Sequence, residues 1–204
     1  MGSKHSKAAH GVESISMRCF VAVPVADPVR RLIVEVQNAL RRADADVTWV
    51  EEGNLHLTLK FLGDVSEEQV ASLRDLCSAE SARWPRIHLN YAGMGSFPER
   101  GTPRVVWAGC TGDVDKLAGL AAAVERHAET VGVPREGRPF VAHLTIGRVK
   151  SSRNVKRLQA AIENQAHVPL GKAEVAEFVL YQSTLTPEGP VYEPLAAFPL
   201  GSPG

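Results

Sequence analysis

Asn54-Leu55-His56-Leu57-Thr58-Leu59-Lys60-Phe61-Leu62-Gly63 is written a second time, in altered form, as Val141-Ala142-His143-Leu144-Thr145-Ile146-Gly147-Arg148-Val149-Lys150. Leu57 and Leu59 alternate with His56, Thr58 and Lys60, and Leu144 and Ile146 alternate with His143 and Thr145. That period of two reads as a strand in each copy, with imidazole and hydroxyl on one face and aliphatics on the other. A strand that buries its aliphatics and opens His and Thr to one face is a candidate reactive surface. Two such strands can place two imidazoles across one substrate.

The surroundings of the two copies also correspond. His56 and His143 are 87 positions apart, Ser66 and Ser152 are 86 apart, and Arg104 and Val191 are 87 apart. Three landmarks at one offset argue for an internal duplication, with a first repeat over about 18–111 and a second over about 112–200. Each half reads as helix, His strand, helix, strand, strand. Duplicated halves tend to pack about a pseudo-two-fold axis, which brings equivalent strands face to face. The expected fold is α+β and bilobal: two antiparallel sheets facing a central cleft, with helices on the outer faces.

Outward from the two strands, Arg18–Val23 reads as a buried strand stopped by Pro24. Asp27-Pro28 starts a helix with Asp as cap, and Val29, Leu32, Ile33, Val36 and Leu40 follow at helical spacing. Val47–Val50 is a short strand. Ser66-Glu67-Glu68-Gln69 matches a capping box opening a helix to about Arg83. Arg86–Phe97 and Arg104–Cys110 are strands joined by a Pro/Gly turn. A helix from about Asp113 to Val131, a helix capped by Ser152, and strands at about Ala173–Thr184 and Val191–Phe198 complete the chain. Residues 1–16 are small, polar and patternless, with no apolar signal core, and are set aside as a disordered leader or appended tag, leaving 17–204 as one domain.

The 204 residues suffice for one domain with a real core. Lys plus Arg and Asp plus Glu are 23 each, so no whole-chain field advertises a polyanionic partner. Balanced charge favours recognition of an end group over a long tract, with modest salt dependence. No apolar run approaches the roughly 20 residues of a membrane span. Cys19, Cys77 and Cys110 are widely spaced and form no CxxC, which suits reduced thiols of a cytoplasmic protein. Neither a carboxylate cluster nor a His-rich spacing offers a metal site, and no cofactor motif is present. A monomer is expected because both halves of the site lie in one chain.

Two facing histidines suit a reaction that removes one proton and delivers another. An unperturbed imidazole titrates at roughly 6.5, so one ring can be neutral and the other charged. Hydrolysis of a phosphodiester fits: a base activates water and an acid protonates the departing oxygen. Thr58 and Thr145 can donate to non-bridging phosphate oxygens, and Lys60 and Arg148 supply positive charge. His88, His127 and His167 are read as structural or solvent-facing, and Trp49, Trp84 and Trp107 as packing residues.

These residues resemble the 2H phosphoesterases, named for paired HxT motifs, and within them the RNA 2′,3′-cyclic phosphodiesterases of the LigT/ThpR branch, historically called 2′-5′ RNA ligases. The resemblance runs from about Arg18 to the C-terminus. It includes Phe20-Val21-Ala22, the two His strands, Phe97-Pro98, Pro103 to Gly109, and the tail from Ser183 through Glu193. It implies metal-independent hydrolysis of RNA 2′,3′-cyclic phosphate ends to 2′-phosphates, with a weak reverse 2′-5′ ligation. By family analogy His56 protonates the leaving 3′-oxygen and His143 acts on water. Thr58, Thr145 and Arg148 match phosphate-binding positions, and Phe61 matches a residue that stacks on the terminal base. Lys60 is not a fixed family position. Strict alternation puts Phe61 and Arg148 on the faces opposite their histidines, so each strand must twist, bulge or end there. Rival readings are a 2H phosphodiesterase for 2′,5′-linked oligonucleotides or a cyclic ADP-ribose phosphate, and a non-catalytic RNA-end or nucleotide-binding module.

Overall fold

A computed structural model describes residues 16–201. The leader assigned to 1–16 lies outside the described residues except for Ser16, which opens the first strand. In chain order the elements are β1 (Ser16–Pro24), α1 (Asp27–Arg41), β2 (Val47–Trp49), a 3-10 turn (Glu52–Asn54), β3 (His56–Ser66), α2 (Glu67–Ser81), β4 (Ile87–Phe97) and β5 (Val105–Gly112). They continue as α3 (Val114–Thr130), β6 (His143–Val149), α4 (Val155–Asn164), β7 (Pro169–Val175), β8 (Glu177–Thr186) and β9 (Gly189–Pro199).

The strands form two wholly antiparallel sheets, β3-β1-β8-β9 and β2-β6-β5-β4-β7. Helices α2 and α3 lie behind the first sheet, and α1 and α4 behind the second. The α+β architecture with a cleft between facing sheets is therefore as the sequence implies. Each His strand buries its aliphatics against the helices behind it: Leu57, Leu144 and Ile146 are fully buried, as are Leu117, Leu120 and Leu158 from α3 and α4. Burying one such side chain contributes about 1.5–3 kcal/mol, which fixes which face of each strand is left for the cleft.

Neither sheet belongs to one half of the sequence. β1 is flanked by β3 and by the late strand β8, while β5 is flanked by β6 and by the early strand β4. With β2, β7 and β9 left aside, the order β1-α1-β3-α2-β4 is followed by β5-α3-β6-α4-β8, with β3-β1-β8 in one sheet matching β6-β5-β4 in the other. On this ground we propose that the repeated unit reopens with β5 rather than after it. An offset of 87 carries Arg18 onto Val105 and Asp27 onto Val114, the starts of β5 and α3.

The capping box of α2 is present: the Ser66 hydroxyl accepts from Gln69 N at 3.2 Å, and Gln69 Oε1 accepts from Ser66 N at 2.9 Å. Two other helix starts differ from expectation. Ala26 caps α1, and Asp27 sits in the first turn, where its charge still faces the positive end of the helix. Asn154, in a left-handed conformation at φ 52°, precedes α4, and Ser152 contributes only its carbonyl to Val155 N. One long strand was expected over 173–184. It is two, β7 and β8, broken at Ala176 and assigned to different sheets. Cys19, Cys77 and Cys110 are free, and burial pushes their thiols up to about 11, 12 and 11. Among the described residues no helix is long and apolar enough to cross a membrane.

Candidate active site

The two His strands lie against one another across the cleft. Their shared departure from ideal strand geometry determines what faces it. In β3 the register against β1 runs Ala22 to Thr58 and then Val21 to Lys60, so Leu59 is an extra, bulged residue. In β6 the register against β5 runs Trp107 to Thr145 and then Val106 to Gly147, so Ile146 is bulged. A bulge puts two successive side chains on one face and reverses the alternation beyond it. Accordingly Leu59 and Lys60 are both buried and Phe61 is exposed, and Ile146 and Gly147 are both buried and Arg148 is exposed. Phe61 rejoins His56 and Thr58, and Arg148 rejoins His143 and Thr145. The two bulges are themselves 87 positions apart.

Each bulge turns a polar group inward, and a side chain from the helix behind satisfies it. At the second, Gln37 of α1, buried, donates through Nε2 to the carbonyls of Ile146 at 2.9 Å and Val50 at 2.8 Å. Gly147 is required there, since a Cβ would stand 2.8 Å from Val47 Cγ1. At the first bulge Lys60 occupies the matching place. Its side chain is 3% exposed and its Nζ donates to Glu125 Oε1 of α3 at 2.7 Å and to the Pro134 carbonyl at 2.8 Å. Lys60 therefore does not share the polar face of its strand, contrary to the alternation reading, and supplies no charge to the cleft. The bulge at Leu59 is the reason.

Both imidazoles are held in the same way. His56 Nδ1 lies 2.8 Å from the Asn54 carbonyl, and His143 Nδ1 lies 2.7 Å from the Val141 carbonyl. A carbonyl only accepts, so Nδ1 carries the hydrogen in each ring and Nε2 is left with the lone pair when the ring is neutral. Asn54 is tied down in turn: its Nδ2 donates to the Pro190 carbonyl at 2.8 Å, joining the turn before β3 to the β8–β9 hairpin.

The rings differ in their surroundings. His56 stacks at a tilt on Phe20, centroids 4.7 Å apart, and meets Tyr192 edge-on at 5.3 Å. Burial, and secondarily the Arg148 guanidinium, hold its imidazole below the ordinary value despite the opposing hydrogen bond to Asn54. His143 meets Phe97 edge-on at 5.1 Å. Phe97 lies 5.4 Å from Trp107, whose ring rests on Gly95, where a Cβ would come within 2.2 Å of it. Trp49 and Trp84 do pack against the hydrophobic core, but Trp107 lines the cleft face of β5 instead. Phe20, Tyr192, Phe97 and Trp107 thus join the site without having been singled out as site residues. The offset offered one signal, because it carries Phe20 onto Trp107, each an aromatic on the strand beside its histidine.

Because Arg148 depresses the His56 imidazole, removing that charge should raise it. We expect the His56 ring to titrate below the free value of roughly 6.5 in the unliganded protein, and Arg148→Ala to move the midpoint upward. A proton NMR titration of the ring resonance reads both. A midpoint above the free value, or no movement in the variant, would contradict the electrostatic account.

Of the other histidines, His127 Nε2 lies 3.1 Å from Glu80 Oε2, and His88 is exposed beside Glu174 and Asp113. Burial pushes the Glu80 carboxyl up, but hydrogen bonds from Trp84 and His127 and the charge of Arg83 outweigh it and leave it below the usual carboxylate range. Glu80 and His127 belong to α2 and α3, behind the first sheet. Among the described residues no group of three or more His, Cys, Asp or Glu is arranged to hold a metal ion.

Two facing sheets, each presenting one HxT strand to the cleft, are the arrangement to set beside known proteins. Residues 23–107 and 111–192 match the family model described as LigT like phosphoesterase. The chain is 37% identical over 182 residues to the RNA 2′,3′-cyclic phosphodiesterase of Archaeoglobus fulgidus, covering 89% of this chain and 99% of that one. It superposes on the crystal structure of the Thermus thermophilus protein TT0787 with a TM-score of 0.77 at 30% identity, covering 92% of this chain and 100% of that one. Against Escherichia coli LigT complexed with 3′-AMP the TM-score is 0.73 at 27% identity, covering 91% and 99%. The chain belongs to the LigT-like phosphoesterase family.

Proposed function

We propose that the cleft hydrolyses RNA 2′,3′-cyclic phosphate ends to 2′-phosphates, by proton transfer between two histidines and without a metal. The observation that carries this reading is the matched pair of imidazoles, one from each facing sheet. Each is fixed through Nδ1 by the carbonyl two residues before it and keeps Nε2 for the substrate. In-line displacement at phosphorus needs the attacking and leaving oxygens on opposite sides, which suits an acid and a base on opposite walls. The relative from Archaeoglobus fulgidus is named an RNA 2′,3′-cyclic phosphodiesterase, and the Escherichia coli protein was crystallised with a nucleoside 3′-phosphate.

In this reading His143 Nε2 takes a proton from water as the water attacks phosphorus. The bond to the 3′-oxygen breaks and His56 Nε2 delivers the proton to it, leaving the phosphate on the 2′-oxygen. Thr58, Thr145 and Arg148 bind the non-bridging oxygens, where charge accumulates in the transition state. Phe61, 55% exposed on the cleft side of its bulge, stacks on the terminal base. Burial and the Arg148 charge tilt the His56 imidazole toward its neutral form in the free protein. A bound phosphate anion offsets Arg148 and favours the protonated ring, so the substrate itself arms the acid. kcat/KM therefore falls as pH rises through the lowered His56 value. Microscopic reversibility allows weak 2′-5′ ligation at the same site.

The test is product analysis with an RNA oligonucleotide ending in a 2′,3′-cyclic phosphate, in excess chelator. A 2′-phosphate end is the expected product. A 3′-phosphate would mean that the substrate sits reversed between the two rings. Tight binding with no turnover would leave a binding module and end the enzymatic reading.

A further inference from the structure

The balanced total charge conceals a steep asymmetry. From Gly137 to Ile162 the chain carries Arg138, Arg148, Lys150, Arg153, Lys156 and Arg157 and no acidic residue. The stretch 87 positions earlier, Val50 to Asp75, carries Glu51, Glu52, Asp64, Glu67, Glu68 and Asp75 against Lys60 and Arg74. Lys60 is buried in its ion pair, so the first His strand is bordered by acid and the second by base.

The basic residues form a path rather than a scatter. Arg148 stands in the cleft, close enough for its charge to act on His56 and Tyr192. Val149 N donates to the Arg104 carbonyl at 2.9 Å, which sets Arg104 of the β4–β5 turn beside the end of β6. Lys150 follows at once. Beyond it, Gly101 and Thr102 of that turn share a groove with Ser152, Lys156 and Arg157 at the start of α4, and Gln159 Nε2 closes it by donating to the Gly101 carbonyl at 3.1 Å. Arg104, Arg148, Lys150, Lys156 and Arg157 are all exposed. Among the described residues none of these five is paired with a carboxylate, and in the tract Arg153 alone reaches one, Asp44 at 3.8 Å. Unpaired cations crowded on one surface repel one another, and a polyanion laid along them relieves that repulsion.

We propose that the path from Arg148 over Lys150 and Arg104 to the groove of Lys156 and Arg157 binds the backbone phosphates of RNA upstream of its cyclic end. This rests on the proposed function, since it extends the substrate held at the histidines. It assigns a direction: the chain leaves over the β6–α4 side and not over α2. Recognition is through phosphate and independent of sequence, so the enzyme prefers an oligonucleotide end to a mononucleotide by an amount that salt erodes.

The experiment compares an oligonucleotide 2′,3′-cyclic phosphate with a nucleoside 2′,3′-cyclic phosphate at about 50 and about 200 mM salt, in wild type and in Lys156→Glu/Arg157→Glu. Both positions are exposed and outside the proposed catalytic set. For the oligonucleotide, kcat/KM should fall about tenfold at low salt, and the slope of its logarithm against that of salt should flatten by about 1.4, the single-strand value for two lost contacts. The mononucleotide should be unaffected. Arg74→Glu/Arg126→Glu, on α2 and α3, makes the same change in net charge and should alter neither substrate. The proposal is overturned if the oligonucleotide is unaffected, if both substrates suffer equally, or if the control does as much. Failure of the wild type to turn over either substrate is a separate result, which removes the underlying reading.

Discussion

Replacing either His56 or His143 by alanine should lower kcat by about two to four orders of magnitude, the usual contribution of one positioned acid or base. KM should change little, because the proposed holders of phosphate and base, Thr58, Thr145, Arg148 and Phe61, remain in place. The double variant should be only slightly slower than the worse single one, since two groups that share one proton-transfer sequence do not add. The symmetry of the holding hydrogen bonds predicts comparable losses at both positions. The surroundings predict a difference in fold: His56 packs between Phe20 and Tyr192, so His56→Ala opens a gap and should lower the melting temperature more. Single-turnover rates and thermal melts on the same preparations separate these effects. Survival of near-wild-type turnover in either variant would remove that histidine from the mechanism.

Glu125→Ala should be among the most destabilising single changes in the molecule that leave both histidines in place. It strands the Lys60 ammonium, 3% exposed, with only the Pro134 carbonyl for company. Breaking a buried pair from one side costs about 3–5 kcal/mol, and the lower figure applies here because Glu125 retains 17% exposure. For a chain of this size that is roughly 6–12 °C in melting temperature. Lys60→Met should be far milder, because it removes the charge and keeps the stem. The pair also joins the two His strands. Glu125 Oε1 accepts from Glu136 N at 2.9 Å as well as from Lys60, so an anchor on β3 pins the loop that feeds β6. Chemical denaturation of both variants checks the asymmetry, and equal losses would show that the stranded charge is not what costs.

Much of the site was legible because alternation and duplication are local signals. His56, Thr58, His143 and Thr145 declare their face by period alone. Even the bulges were foreshadowed, since Phe61 and Arg148 share the histidines' face only if each strand gains a residue in between. The fate of Lys60 could not be read, because a lysine on a polar period looks solvated unless its partner is known. That partner, Glu125, lies 65 positions away. Trp107 was hidden for a related reason. An apolar strand residue defaults to the core, and only the openness of the sheet's other face, a property of the assembled cleft, sends it elsewhere. The break between β7 and β8 was invisible because both are apolar-rich and separated by Ala176 alone. Which sheet a strand joins is a long-range choice that no window of sequence encodes.

That long-range choice has a consequence for biosynthesis. β1 and β3 meet early, but the other neighbour of β1 is β8, which begins at Glu177, and only afterwards does β9 arrive to complete the sheet. A growing chain therefore holds β1 with one edge open until β8 has been made. Pairings so distant in sequence form slowly, and an open edge is a template for association with another chain. The interleaving that brings both histidines to one cleft also means that β1 cannot complete its pairing before β8 has been made. The β8–β9 hairpin, made long after β3, is the one that locks Asn54, through Pro190, and so sets the first histidine.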